Sequence, residues 1–560
     1  MAYFLKQTKL KNRTYLSIVE SFYNPAKKGA SHRVYKSLTS VESLKQSGME
    51  DPVAYYQAEV EKLNSERAKR KQILISEQSP KRYLGYFPVK GIMKKLKIQS
   101  YINLFKLNTN FDFDLFEILS SLVYARCVKP CSKAKTFHEV LPYLDESCCF
   151  SYDQLLKGLD FYGNDYEKFV ELFTAQVKES YGSDTSSTYF DCTNFYFEID
   201  REDDFRRKGP SKENRKDPII GLGLLLDSNQ IPIGMRMFPG NQSEKPVIRE
   251  IITSLKKQNN IKGKTIRVAD KGLNCSENIT TAIKNGDGYI FSKSVKQLPE
   301  TEKVWVLLDN DWKEVKDKSG KLLYKYKECI TTFPYSYTDE SGLTKKIALK
   351  EKRVLTYNPS LAEKHRHEII KMVDKATTLC LSQARRSEFG DCSRYMSFKS
   401  KDSDASVIAT LNQTAVDEDL KLAGFNLLVT SETDKSANDI YSTYHNLWRI
   451  EESFRIMKSD LDARPVFLQK ENTIKGHFLI CYIAVLLERI FQFYYLQNQF
   501  SSETIYEFFR NFEIAKGENK CINLTAKNAF IVALAQKTDL PINNLLLSET
   551  QLKQIRNWMP

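Results

Sequence analysis

The hydrophobic period of this chain changes partway along it, and that change restricts the folds open to it. Residues 53–77 are charged and free of Gly and Pro, and helical patterns continue through 92–105, 113–125 and 152–181. From Thr188 the pattern becomes short apolar runs bounded by turns. Residues 188–191 read as one strand. Residues 219–226, a run of Ile, Gly and Leu closed by Asp227-Ser228-Asn229-Gln230, read as a second, and 231–238 as a third. A helix over 246–257 then leads to a fourth strand at 265–270.

Three antiparallel strands, a helix and a further strand make the front half of a ribonuclease-H-like α/β fold. A strand at 425–430 leads into a later amphipathic helix. Between them, 300–357 is expected to be β-rich, with 304–308 as a strand, followed by a helix at 360–377. About 180 positions separate Asp270 from Glu451, far more than one connection needs, so a β-rich insertion is expected over about 300–415. At the front, residues 14–23 and 32–38 alternate as strands do and form a hairpin around a loop at 24–29. The expected organisation is a basic β-hairpin region (1–50), a mainly helical DNA-binding region (51–183), a catalytic core in two halves (184–299 and 416–495) around the insertion (300–415), and a helical C-terminal region (496–560).

Charge narrows the partner. The chain of 560 residues carries a formal net charge of +14. Residues 1–40 hold Lys6, Lys9, Lys11, Arg13, Lys27, Lys28, Arg33 and Lys36 against Glu20 alone. Such a balance suits a polyanion. The 11 cysteines are odd in number and irregularly spaced, which excludes a fully paired secreted scaffold and fits a reducing cytoplasm. Cys127, Cys131 and the Cys148-Cys149 pair have no matching CxxC or His pair, so buried free thiols are expected rather than zinc ligands. The N-terminus has no apolar signal core. The longest apolar stretch, 478–487, is too short to span a bilayer and reads as a buried helix.

Three carboxylates stand in settings that suit metal chemistry. Asp191 and Asp270 end apolar strands, in Tyr189-Phe190-Asp191-Cys192-Thr193-Asn194 and Val268-Ala269-Asp270-Lys271-Gly272. Glu451 lies on the amphipathic helix. Hard cations such as Mg²⁺ take oxygen ligands, and a pair of them can clamp both oxygens of an in-line phosphoryl displacement. Tyr444, Glu451 and Lys458 recur every seven residues, close to two helical turns, and so are expected on one face. Glu452 points about 100° away from that face.

These residues resemble bacterial insertion-sequence transposases of the DDE class, in the group named for a Tyr-x2-Arg-x3-Glu-x6-Lys signature. The resemblance covers roughly 185–495. It includes Phe238-Pro239-Gly240-Asn241, Arg464-Pro465-Val466 and Ile474-Lys475-Gly476-His477-Phe478. It implies metal-dependent cut-and-paste transposition on a ribonuclease-H-like core. Asp191, Asp270 and Glu451 would bind two Mg²⁺ ions, with Mn²⁺ as a substitute. A hairpin intermediate and a homodimer on DNA are implied as well. The partner would be double-stranded DNA, both the terminal inverted repeats and the target, at the nucleoid of a bacterial cytoplasm and with no membrane. Candidate DNA-binding residues are Tyr444, Lys458, Arg449, Lys271, Arg455 and Trp312. In the family an aromatic residue of the inserted domain stacks on a flipped base, and Trp305 and Trp312 are the tryptophans available there. The signature Arg is replaced by Leu447. Arg449 lies about 200° round the helix from that position.

Two other readings use the same residues. A ribonuclease-H-like endonuclease or resolvase would cut without joining. A transposase-derived DNA-binding protein would have lost catalysis, and three intact acids argue against it.

Overall fold

The structure, a computed structural model, describes residues 2–24, 27, 29–77, 81–213, 216–258, 261–338, 341–381, 386–398, 409–516 and 521–560. The chain divides into two compact units, 1–82 with 514–522 and 83–513 with 523–560. In the first, β1 (Tyr3–Leu10), β2 (Arg13–Asn24) and β3 (Gly29–Ser40) form a three-stranded antiparallel sheet, followed by helix α1 (Pro52–Glu77). The expected hairpin is β2–β3, paired from Tyr15↔Ser40 to Asn24↔Gly29, and β1 adds a third strand. Pro25, Ala26 and Lys28 of the expected loop lie outside the described residues. Buried Glu20 accepts from Arg33 Nε at 2.7 Å and Arg67 Nη1 at 2.9 Å. Lys6, Lys9, Lys11, Arg13, Lys27, Arg33 and Lys36 are all exposed.

The second unit begins with α2 (Phe87–Lys95), α3 (Ile98–Lys106), α4 (Leu115–Val128), α5 (Tyr152–Asn164) and α6 (Tyr166–Tyr181). Two expected long helices are each broken, one at Lys97 with φ of 53° and one at Asp165. The sheet elements are β4 (Ser187–Tyr196), β5 (Ile219–Leu226), β6 (Pro232–Pro239), β7 (Ile266–Ala269) and β8 (Gly288–Lys293), with α7 (Glu244–Lys257) between β6 and β7 and α8 (Ser276–Lys284) between β7 and β8. After α9 (Glu300–Leu307) come β9 (Lys313–Lys316), β10 (Leu322–Thr338), β11 (Thr344–Tyr357), α10 (Pro359–Leu381), α11 (Gln413–Lys421) and β12 (Phe425–Thr430).

All of these strands belong to one mixed nine-stranded sheet, ordered β9-β10-β11-β12-β8-β7-β4-β5-β6. The β4–β7 and β7–β8 pairs are parallel and the others antiparallel. β5 is buried at every residue, which is what a continuous apolar run covered on both faces requires. A Cβ on Gly223 would lie 2.8 Å from the Phe190 ring, so that crossing admits only glycine. Phe190 and Cys192 enter the core with Val247, Ile248, Ile251 and Leu255 of α7.

The expected strand at 304–308 is instead part of helix α9. Glu300 and Glu302 favour a helix N-terminus there, and Val306 alone of the helix is buried. Over 300–415 the long strands end at Tyr357 and merge into the main sheet. Beyond it lie α10, α11 and a two-stranded ribbon, Met396–Phe398 with Ala409–Leu411.

The chain continues through α12 (Ala437–His445), α13 (Trp448–Arg455), a π-helical turn (Ile456–Asp460), α14 (Glu471–Ile490) and α15 (Ser502–Asn511). α14 is buried through 476–490, including the expected 478–487 stretch. It packs on α4 and α5, and a Cβ on Gly476 would lie 2.3 Å from Leu159 O of α5. Short strands Glu513–Lys516, Cys521–Asn523 and Leu546–Leu547 interrupt the expected helical C-terminal region. Among the described residues no helix is long and apolar enough to cross a membrane. All 11 cysteines are free thiols.

Candidate active site

Strand register brings the first two acids together. Parallel β4 and β7 pair Phe190 with Ala269, so Asp191 and Asp270 are the next residues on adjacent strands. Neighbouring strands lie about 4.8 Å apart. Because side chains alternate, both acids leave the face that Phe190 and Ala269 give to the core. β4 runs on to Tyr196, so Asp191 sits within its strand and does not end it.

Helices α12 and α13 bring the third acid, with a departure from the sequence reading. The expected continuous helix from Tyr444 to Lys458 is interrupted at Asn446–Leu447. There Leu447, Arg449 and Ile450 N–H groups bond to carbonyls three residues back, and the turn tightens. Buried Leu447 fills the position of the signature Arg. A π turn then widens the helix around Lys458. Tyr444 therefore sits on a different helical segment from Glu451, and its hydroxyl donates to Asp270 Oδ1 at 3.0 Å. Burial and the Asp270 charge push that hydroxyl well above its usual range, which keeps it protonated as a donor.

The electrostatics tie the acids to one another. Burial pushes Asp191 up to about 6, and the charges of Glu244 and Asp270 add to that rise. Lys212 and the Cys192 N–H, which donates to Asp191 Oδ1 at 2.8 Å, oppose it. Glu451 is raised by burial and then by Asp270, and Lys212 again opposes. Sequence reasoning missed both Lys212 and Glu244. Lys212 Nζ lies 3.8 Å from Asp191 and 3.5 Å from Glu244, and it donates to Cys192 O. Its loop has no periodicity to announce it. Glu244 follows the N-cap Ser243 of α7 and reads locally as nothing more than a helix-start acid.

The remaining candidates are distributed as follows. Lys458 donates to Glu213 Oε1 at 3.1 Å, and Arg464 holds the other oxygen of Glu213. Arg449 pairs with Glu452 at 2.9 Å and lies over the Trp448 ring, so it is engaged within the protein. Arg455 is half-exposed, 3.8 Å from Glu452. Lys271 is exposed and lines a cavity of about 240 Å³ with Asp270, Tyr444, Lys293, Lys296 and His365. Trp312 packs on the core edge beside Phe425, under Lys325 at 4.6 Å and Lys327 at 4.9 Å. Trp305 lies under Lys327 at 5.2 Å.

In chemistry, though not in spacing, three carboxylates are the kind of oxygen donors that a hard divalent cation takes. Besides burial, the Asp270 charge raises both Asp191 and Glu451, and Lys212 is the cation that opposes the rise at both. Among the described residues no three His, Cys, Asp or Glu side chains are gathered closely enough to hold an ion as they stand. The rise at Asp191 has a measurable consequence. Asp191 is raised from 3.8 to about 6 on folding, so the folded chain retains a proton that the unfolded chain releases. That stability is present at low pH and lost as pH rises through about 6. Asp191→Asn should therefore stabilise the metal-free protein by about 2–3 kcal/mol at pH 7, with the gain vanishing near pH 4. Urea midpoints in a chelator check this, and an equal effect at both pH values would refute it.

A family model described as a transposase DDE domain matches residues 191–487, beginning at Asp191 and ending within α14. Among solved structures, a piggyBac transposase synaptic complex with hairpin DNA is 12% identical, with 84% of this chain and 82% of that chain covered at a TM-score of 0.36. No curated protein matches.

Proposed function

This chain belongs to the family of transposases with a DDE domain, and from that premise we propose that it cuts and joins DNA as a bacterial insertion-sequence transposase of the Tyr-x2-Arg-x3-Glu-x6-Lys group. The observation that carries the reading is the Phe190↔Ala269 register, which sets Asp191 beside Asp270, with Glu451 close enough to feel the Asp270 charge. The five strands β6-β5-β4-β7-β8, antiparallel and then parallel, support a ribonuclease-H-like core with 300–415 as its insertion.

Asp191, Asp270 and Glu451 are the residues that would hold two Mg²⁺ or Mn²⁺ ions. Bound there, such ions would polarise the scissile phosphate and stabilise charge on the attacking and leaving oxygens. Tyr444 orients the Asp270 carboxylate through its hydroxyl. Lys212 holds Asp191 in place. Lys458 and Arg464 carry cationic donors suited to backbone phosphate, with Glu213 as their partner until DNA arrives. Lys271 lies where a phosphate beside Asp270 would be met. The exposed basic sheet of residues 1–40 supplies sequence-independent attraction to DNA.

In this reading the element's ends are released by hydrolysis, through a hairpin formed by the freed 3′-OH, and two subunits pair on DNA so that both ends join one target in the cytoplasm. Incubating the protein with end-bearing duplex, target plasmid and Mg²⁺ tests it. Cleavage with strand transfer supports the proposal. Cleavage alone would point to a resolvase-like nuclease, and binding alone to an inactive descendant.

A further inference from the structure

A cavity of about 460 Å³ lies away from the acids, at the end of α4 and beside α14. Its wall holds three nitrogen-bearing side chains, each at least nine-tenths buried: Arg126, Lys133 and His477. Among the described residues neither Arg126 nor Lys133 makes an ion pair. Arg126 donates to the carbonyls of Leu461 at 3.2 Å and Cys131 at 3.0 Å. Lys133 Nζ meets His477 Nδ1 at 3.2 Å, its one protein partner among the described residues.

The proton positions follow from the partners. His477 Nε2 faces the Ala463 carbonyl at 3.1 Å, and a carbonyl can only accept, so Nε2 carries the hydrogen. Burial, with Lys133 and Arg126 nearby, pushes His477 well below its usual range, so the ring is neutral and Nδ1 is an acceptor. Lys133 donates to it and keeps further donors. Burial and the neighbouring Arg126 push the Lys133 amine well below its usual range, so Arg126 is the standing buried charge at this open cavity, and an anion beside Lys133 would draw its proton back. The cavity's acid, Asp462, is exposed. An uncompensated buried charge is strongly destabilising, and an anion entering the cavity would compensate it.

We propose that this cavity is a phosphate-binding site, with Lys133 and Arg126 supplying charge and His477 fixing the Lys133 amine. Exposed Phe467 stands at its rim, next to buried Val466. The phosphate could be inorganic or belong to a DNA backbone. The second source rests on the DNA-joining reading above, and the first does not.

Thermal melting at pH 7 separates the sources. Inorganic phosphate, against chloride at matched ionic strength, should raise the melting temperature of the full chain by about 2–4 °C at saturation. Lys133→Met matches the stem and removes the amine; it should melt no lower than wild type without phosphate and lose the shift. In salt titrations with end-bearing DNA, a backbone source predicts that this variant lowers the slope of log K against log salt by about one. An unchanged slope with a lost phosphate shift assigns the site to free phosphate. Equal phosphate shifts in both proteins, or no shift and no slope change, would overturn the site. If the variant does not fold, tungstate diffused into wild-type crystals decides: density between Lys133 and Arg126 supports the site, and an empty cavity overturns it.

Discussion

Asp191→Asn, Asp270→Asn and Glu451→Gln should each reduce DNA cleavage by about a thousand-fold or more while leaving end binding within a few-fold of wild type. Each amide keeps the shape of the side chain and loses the anionic oxygen that a hard cation requires. Charge stabilisation at such a site is worth several kcal/mol in the transition state, which converts to that factor in rate. The three losses should not add, because the acids act as one unit. A gel assay of nicking in Mg²⁺, beside a filter-binding curve, measures both quantities. Near-normal cutting by any one variant would remove that residue from the site.

Glu452→Gln should behave in the opposite way to its neighbour. Glu452 is nearly buried and accepts from Arg489 Nη2 at 3.0 Å and Arg449 at 2.9 Å. Arg489 is fully buried and also donates to Gln492 and Ser502. Removing the charge of Glu452 leaves the buried Arg489 guanidinium with Glu488 alone, 3.9 Å from its Nε and itself pushed up to about 7 by burial, a loss of about 3 kcal/mol. Among the described residues Glu451 makes no such bonds. The denaturation midpoint should therefore drop sharply for Glu452→Gln and hold for Glu451→Gln, and residual cleavage should survive in the former. Equal midpoints would mean that the Arg489 pair contributes little.

The two carboxylates also show what the sequence made legible and what it did not. Heptad spacing put Glu451 and not Glu452 on the face of Tyr444, because a helix converts spacing into direction; the Asp270 charge raises Glu451, whereas Glu452 pairs with Arg489. The same spacing put Tyr444 on the Asp270 side, where its hydroxyl lies, but missed the break in the helix, since the turn at Asn446–Leu447 buries Leu447 and has no local breaker such as Gly or Pro. Strands β5, β6, β7 and β12 were readable because burial on both faces demands consecutive apolar residues. Helix α9 was misread because Val304-Trp305-Val306-Leu307-Leu308 has strand propensity, and acids upstream of it set the N-terminus. Lys212, Glu213 and Glu244 had no readable signal: tertiary packing places their charges from loops and a helix start.

Helix α14 has a consequence for how the chain comes into being. It packs on α4 and α5, which are made early, yet it closes at Ile490, well after Glu451. A ribosome delivers residues in order, so the helices of 83–181 wait for a late segment before their apolar faces are covered. Asp191 and Asp270 likewise emerge long before their third acid. A nascent or prematurely ended chain therefore has neither a finished helical layer nor a complete set of acids. On the DNA-cutting reading proposed above, DNA near the site of synthesis would stay uncut until the ribosome has delivered α14.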